Sequence, residues 1–149
     1  MPMNKKILIQ YADLQEEIKD LRKRIEKTKY QIAQIKKQGI VSDTVRGSRQ
    51  DGTIGLIKIT GFPDRDYHKR KSTLNRQLML LQEKEDELLE LTNEVELYIE
   101  SIEDSRIRRI FRYRYLDDMS WTRVAMMMGG DNTADSCRMA HNNFFEKEK

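Results

Sequence analysis

The first third of the chain repeats apolar residues at alternating steps of four and three. Polar residues, mostly Lys, Glu, Gln and Asp, fill the positions between them. This is the narrow seam of a coiled coil, and it predicts a helix over about residues 4–38 that ends at Gly39. The seam consists of Ile7, Tyr11, Leu14, Ile18, Leu21, Ile25, Thr28, Ile32 and Ile35.

A second run with the same steps predicts a helix over about residues 66–103. Two of its positions, Glu85 and Thr92, are polar, as seam positions are when they fix register or oligomeric state. Residues 1–37 carry a net charge of +5 and residues 74–103 one of −7. The charges fit an antiparallel hairpin within one chain and equally an intermolecular bundle. The second seam consists of Leu74, Leu78, Leu81, Glu85, Leu88, Thr92, Val95, Ile99 and Ile102.

Residues 39–65, between the two runs, are rich in glycine and contain Pro63. The β-branched stretch Ile54–Thr60 allows a small β-hairpin that turns at Gln50–Gly52. A loop without regular structure is the alternative, since an isolated two-stranded hairpin is marginal in water.

The heptads stop at Asp104, and a more compact helical pattern begins. Asp104 or Ser105 can cap a helix that runs as far as Tyr115 and carries five arginines. Ser120 caps a short helix, Trp121–Met128, the turn Gly129–Asn132 follows, and Thr133 starts a last helix. This is the plan of a helix-turn-helix. The inward positions of the last helix are Cys137, Ala140, Phe144 and Phe145.

The predicted fold is therefore all-α. A long helical coiled-coil hairpin with a small inserted loop or β-hairpin forms an arm over residues 1–103. A helix-turn-helix module occupies residues 104–149.

The module resembles the helix-turn-helix of region four of bacterial sigma factors. The resemblance is carried by Arg114-Tyr115-Leu116, Ser120-Trp121, Val124-Ala125, Met128-Gly129 and the stretch from Thr133 to Arg138. The chain resembles still more closely the RinA/ArpU-type regulators, which activate late genes in phages of Gram-positive bacteria. That likeness covers most of the chain and includes Asp43–Ser48 and Ile57–Gly61. It implies a phage- or prophage-encoded DNA-binding transcription regulator, most simply a late-gene activator.

The last helix supplies the candidate residues for reading bases, because its first turns face outward in a helix-turn-helix. They are Ala134, Asp135, Ser136, Arg138 and Met139. Arg138 can read a guanine or contact a phosphate, and it can equally form a surface ion pair with Asp135. The candidates for phosphate contacts are Arg109, Arg112, Arg123 and Thr133. A solvated arginine face paired with the acidic second helix is the alternative for the arginine run.

Several classes of protein are disfavoured by composition. No run of apolar residues is long enough to span a membrane, and no motif indicates an enzyme, a cofactor, a metal site or a small-molecule substrate. A single cysteine, Cys137, cannot form an internal disulfide and suits a reducing cytoplasm, here that of a bacterial host. His68 and His141 are predicted to be isolated surface residues.

The expected partners are double-stranded DNA, further copies of the chain in a homo-oligomer, and, as a candidate, host RNA polymerase. The alternative function is that of a phage structural or packaging protein, such as a small terminase-like DNA recogniser or a coiled-coil assembly scaffold. Small terminases usually place the DNA module before the oligomerisation helices. The reverse order in this chain favours the regulator.

Overall fold

Two long helices pack as a hairpin, and three shorter helices follow them. A computed structural model of the chain describes residues 2–47 and 64–148. Within these ranges no strand occurs, so the predicted all-α fold, with a helical hairpin ahead of shorter C-terminal helices, is confirmed. The helices are α1 (Pro2–Gly47), α2 (Asp64–Glu100), α3 (Ser105–Phe111), α4 (Trp121–Met128) and α5 (Ala134–Glu148), with a π-helical turn (Arg112–Leu116) directly after α3.

The predicted seam of α1 is buried almost throughout. Its first and last positions differ. The predicted Ile7 is half-buried while the neighbouring Leu8 is fully buried, and Ile35 is half-buried. Thr28 is 6% exposed, and its hydroxyl donates a 3.0 Å hydrogen bond to the Arg24 carbonyl. A threonine can therefore stand in the apolar seam with its hydrogen bond satisfied. The buried residues are Leu8, Tyr11, Leu14, Ile18, Leu21, Ile25, Thr28 and Ile32.

The seam of α2 is buried less evenly. Val95, Ile99 and the following Ile102 are buried, whereas Leu78 remains 40% exposed. The Thr92 hydroxyl donates to the Leu88 carbonyl at 2.7 Å and lies 3.3 Å from the Tyr11 hydroxyl. The remaining predicted seam positions of α2 are half-buried.

The predicted end of the first helix is wrong, and the second helix is shifted by two or three residues at each end. The first helix does not stop at Gly39 but continues to Gly47, so residues 39–47 are helical rather than irregular. A glycine inside a helix costs only about 1 kcal/mol relative to alanine, which is too little to end a long helix by itself. The second helix begins two residues earlier than expected, at Asp64, and ends at Glu100 rather than 103. The hairpin predicted at Ile54–Thr60 lies outside the described residues.

The chain divides into two compact units. One comprises residues 1–17 and 84–149, and the other comprises residues 18–83. The first unit thus combines the C-terminal helices with the start of α1 and the end of α2, and its core draws on all of them. Burying each large apolar side chain contributes roughly 1.5–3 kcal/mol. The fully buried members of that core include Leu8, Val95, Ile99, Ile110, Phe111, Val124 and Cys137.

In the second unit, the hairpin is held by its seam and by polar contacts between the two helices. Arg70 Nη1 donates a 2.6 Å hydrogen bond to Gln31 Oε1. The predicted boundary between arm and module, at residues 103 and 104, stays a prediction.

Candidate nucleic-acid interface

Side-chain caps define the start of each short C-terminal helix. The Asp104 carboxylate accepts hydrogen bonds from the backbone N–H groups of Arg106 (2.8 Å) and Ile107 (3.2 Å). Ser120 Oγ accepts from the Arg123 N–H at 3.3 Å. Because a cap satisfies N–H groups that the helix itself leaves unpaired, these residues fix where α3 and α4 begin, as their sequence predicts.

A reciprocal cap fixes the start of α5. Thr133 Oγ1 accepts from the Ser136 N–H at 3.0 Å, and Ser136 Oγ accepts from the Thr133 N–H at 2.9 Å. This arrangement is a capping box in which serine takes the place of the usual Glu or Gln. The phosphate contact predicted for Thr133 stays a prediction, but its N–H and hydroxyl oxygen already serve the cap.

The turn between α4 and α5 depends on glycine. Gly129 has φ +72° and ψ −170°, and Gly130 has φ +60°. The Gly129 values fall in a region that only glycine occupies readily. Asn132 Nδ2 donates to the Gly129 carbonyl at 2.7 Å, and Arg106 Nη2 donates to Asn132 Oδ1 at 2.8 Å. The turn is therefore tied to α3 as well as to α4.

A small apolar core holds α4 and α5 together. Val124 and Cys137 are fully buried, Ala125 is 9% exposed, and Phe145 is 8% exposed. A small residue such as Ala125 lets two helices approach closely. Of the predicted inward positions, Ala140 and Phe144 are half-buried rather than buried. The reduced Cys137 has the packing role expected of it.

His141 is not the isolated surface residue that the sequence suggests. Its ring packs against those of Phe111, Trp121 and Phe145, with centroid distances of 5.0, 5.1 and 4.9 Å. Its Nε2 lies 2.6 Å from the Tyr115 hydroxyl, and its Nδ1 lies 3.0 Å from Asn142 Oδ1. Both contacts are satisfied when Nδ1 carries the proton and the Tyr115 hydroxyl donates to Nε2. His141 therefore links α5 to the π-helical turn.

Burial shifts the pKa values of both partners in this pair. Removal from water lowers the pKa of His141 below its usual 6.5, helped by Arg114 and Lys5 and opposed by the hydrogen bond to Asn142. Burial also raises the pKa of Tyr115 to about 12 against the lowering effect of Arg114. Both shifts favour the neutral pair.

Three of the five arginines in the run 106–114 donate hydrogen bonds of 2.9 Å or less to a backbone carbonyl or to the turn after α4. Arg106 holds the turn residue Asn132, as described above. Arg108 Nη1 donates to the Ile102 carbonyl at 2.7 Å. Arg114 Nη1 donates to the Met119 carbonyl at 2.9 Å, and its guanidinium lies 4.6 Å from the centre of the Trp121 ring. These three side chains have structural contacts that the sequence does not reveal.

The phosphate candidates Arg109, Arg112 and Arg123 are all exposed. Arg109 Nη2 lies 3.5 Å from the Met127 carbonyl. Met127 follows Arg123 by one turn of α4. Arg112 Nη2 lies 3.8 Å from Glu100 Oε1, an exposed ion pair with the acidic α2. This ion pair is the kind of contact expected if the arginine run is a solvated helix face that pairs with the acidic second helix. Exposed pairs of this kind are weak, so Arg112 can exchange its partner for a phosphate.

The five base-reading candidates fall into two groups. Asp135, Arg138 and Met139 are exposed at the start of α5, whereas Ala134 and Ser136 are half-buried. Ser136 is also committed to the cap. Arg138 Nη2 lies 3.1 Å from Asp135 Oδ1, so the surface ion pair that the sequence allows is formed.

Arg138 also lines a groove of about 440 Å³ between α5 and the start of α1. Trp121 and His141 form its apolar wall, and two acidic residues of α1, Asp13 and Glu16, contribute to its lining. The groove therefore has carboxylates of α1 in the same lining as Arg138.

The part of the chain that the structure describes lacks two further kinds of feature. No group of three or more His, Cys, Asp and Glu side chains there could hold a metal ion. None of the described helices is both long and apolar enough to cross a membrane. Comparison with protein families, with curated proteins and with solved structures gives no match for this chain.

Proposed function

We propose that the chain is a transcription regulator that binds duplex DNA through the helix-turn-helix of α4 and α5. The observation that carries this proposal is the exposed start of α5. It is held by the Thr133–Ser136 cap and the Gly129 turn, and it presents Asp135, Arg138 and Met139 to the outside. The first turns of such a helix are what enters the major groove.

The distribution of charge suggests that contacts with phosphates and contacts with bases involve different surfaces of the protein. The exposed residues of α5 include Asp135 and Glu146 against Arg138 and Lys147, so this helix has no positive excess to supply the phosphate attraction on which DNA affinity depends. Arg109 and Arg123 are both exposed, and Arg109 Nη2 lies 3.5 Å from the carbonyl of Met127 in the last turn of α4. We infer that these arginines, together with Arg112, hold the DNA backbone while α5 reads the bases.

The finer features of this function rest on the sequence resemblance to RinA/ArpU-type regulators. They are the origin in a phage or prophage, the activation of late genes in the cytoplasm of a bacterial host, and a contact with host RNA polymerase. A homo-oligomer would place two reading helices on one DNA site, as dimeric helix-turn-helix proteins do.

Fluorescence anisotropy of the full chain with a labelled duplex of mixed sequence tests the proposal. We expect binding that weakens steeply between 50 and 200 mM salt, as is typical of proteins that contact several phosphates. Met139→Glu should abolish it, because a carboxylate on the exposed face of α5 would meet the anionic groove.

Leu97→Glu is the matched control, since it adds the same charge at a residue that is 73% exposed on α2. It should bind almost as tightly as the unmodified chain. Equal effects of the two substitutions, or no binding at low salt, would contradict the proposal and favour an assembly role for the helical arm.

A further inference from the structure

We propose that Arg138 and Asp135 act as one unit that reads a single guanine in the recognised sequence. In this unit Arg138 touches the base, and Asp135 is a positioning residue that orients the guanidinium. The inference rests on the DNA-binding function proposed above and names what the exposed face of α5 recognises.

The geometry leaves Arg138 able to make a two-point contact. Its contact with Asp135 runs from Nη2 to Oδ1 at 3.1 Å, with side chains that are 54% and 81% exposed. A guanidinium has five N–H groups, and this hydrogen bond uses one of them. The other Nη2 hydrogen and both Nη1 hydrogens stay available for O6 and N7 of a guanine, the usual target of arginine in the major groove.

The surroundings of Arg138 favour a base over a phosphate. Asp135 is its ion-pair partner, and Asp13 and Glu16 line the same groove. These carboxylates repel a phosphate, whereas O6 and N7 of guanine are uncharged acceptors. Among the arginines of the module, Arg138 is thus suited to reading sequence and the exposed Arg109 is suited to the backbone.

The ion pair itself has little structural purpose. An exposed pair of residues three apart on a helix contributes little to folding stability. It does, however, restrict a long side chain that would otherwise lose conformational freedom when it met DNA. The carboxylate therefore improves the contact with guanine by preparing the arginine for it.

The test uses duplexes selected by the full chain from a random-sequence library. Each G·C pair of the selected duplex is changed in turn to A·T, and competition binding at fixed salt gives the loss at each position. We expect one position at which the change weakens binding roughly 5- to 150-fold. Arg138→Ala should remove the preference at that position and leave the preferences elsewhere.

Asp135 provides the readout that separates positioning from stability. Asp135→Ala should relax the same position while raising overall affinity, because a negative charge near phosphate is lost. Asp135→Asn keeps an acceptor for Arg138 and should retain part of the preference. Glu146→Gln, which removes an exposed carboxylate elsewhere on α5, should raise affinity without relaxing that position.

The outcomes are distinguishable. If Asp135→Ala keeps the full preference at the guanine, the pair is a surface ion pair only and the inference is overturned. If the chain selects a sequence but no position responds to Arg138→Ala, the reading of guanine is wrong while DNA binding stands. If no sequence is enriched and no duplex is bound, the proposed function itself fails.

Discussion

At the scale of single residues, the arginines show which roles can be predicted from the sequence and which cannot. The run between 106 and 114 marks a basic surface, and the exposure of Arg109 and Arg112 agrees with that interpretation. The roles of Arg108 and Arg114 could not be predicted, because their partners are backbone carbonyls of Ile102 and Met119. Nothing in the sequence identifies which carbonyl in a turn is left without a helical partner.

The position of His141 was predictable from the helical period, although the prediction of an isolated surface residue is wrong. His141 comes four residues after the buried Cys137 and four before the buried Phe145, so it shares their helix face. The helical period therefore predicts that His141 is partly buried, whereas the residue type alone does not. Its hydrogen-bond partner, Tyr115, is 26 residues away in the sequence and could be identified only from the structure.

Acid should destabilise the C-terminal module through His141. The folded state lowers the pKa of His141 below 6.5, so the neutral side chain is favoured in the fold. This stability is fully present above pH 6.5 and is lost as the pH falls towards and through the lower folded-state value. Urea unfolding followed by the fluorescence of Trp121, the single tryptophan, should give a midpoint that falls between pH 7.5 and 5.

His141→Gln should flatten most of that pH dependence, and the same change at the exposed His68 should leave it intact. An equal pH dependence in both variants would mean that other groups cause the acid sensitivity.

The tyrosine of the pair gives an independent prediction. Tyr115→Phe should destabilise the module by about 1 kcal/mol, since it removes a hydrogen bond and leaves Nε2 of the half-buried His141 without its donor. It should also reduce the alkaline loss of stability. That loss is expected as the pH rises from 10 towards 12, because the unfolded tyrosine ionises first. A variant as stable as the unmodified chain at pH 7 and pH 11 would contradict this role.

At the scale of elements, local signals predicted the helices and their starts. The seam of α1 and the caps at Asp104, Ser120 and Thr133 are all read from nearby residues. The π-helical turn, in which the Asp117 N–H donates to the Arg112 carbonyl five residues back, was not predicted, since π-helical turns are rare and no local pattern marks this one. The extension of α1 past Gly39 was not predicted, and it is possible because a single glycine is only a weak stop signal for a long helix.

The turn between α4 and α5 should tolerate alanine poorly at Gly129. No atom lies within 4 Å of a Cβ added there, so the penalty comes from the backbone, and we expect about 1–3 kcal/mol. Gly130→Ala should cost less, about 1–2 kcal/mol, because φ +60° is less restricted. Urea unfolding followed by Trp121 fluorescence measures both. A larger loss at Gly130 than at Gly129 would mean that the turn has another conformation.

The exposed arginines should govern the salt dependence of DNA binding. Arg109→Gln with Arg112→Gln should weaken binding to every duplex alike and reduce the slope of log K against log salt by up to about 1.8, or 0.9 per lost contact. Arg65→Gln with Arg76→Gln removes the same charge from exposed positions on α2 and should leave the slope almost unchanged. Equal slopes for the two double variants would return Arg109 and Arg112 to a solvated helix face.

At the scale of the whole molecule, the sequence predicted the order of arm and module but left open whether the long helices pair within one chain. The structure answers with a hairpin, whose first helix has its seam buried. Residues on α2 such as Leu89 (64% exposed) and Leu97 (73% exposed) lie outside these contacts. A heptad pattern does not show whether helices pair within one chain or between chains, because the same apolar seam can be buried in both arrangements.

The homo-oligomer stays a prediction, and light scattering of the full chain tests it. We expect a mass that is a multiple of 17.8 kDa at micromolar concentration. A mass of 17.8 kDa at all concentrations would show that the hairpin satisfies the seams alone. DNA binding would then depend on one reading helix per complex.

The central claim, that α5 enters the major groove of duplex DNA, is tested most directly by methylation interference. A duplex selected by the full chain is methylated sparsely with dimethyl sulfate, and the bound and free fractions are compared. Guanine is methylated at N7 in the major groove and adenine at N3 in the minor groove. We predict that the bound fraction is depleted of methylation at the N7 of one or more guanines. Depletion only at adenine N3, or no depletion at any base, would contradict the claim.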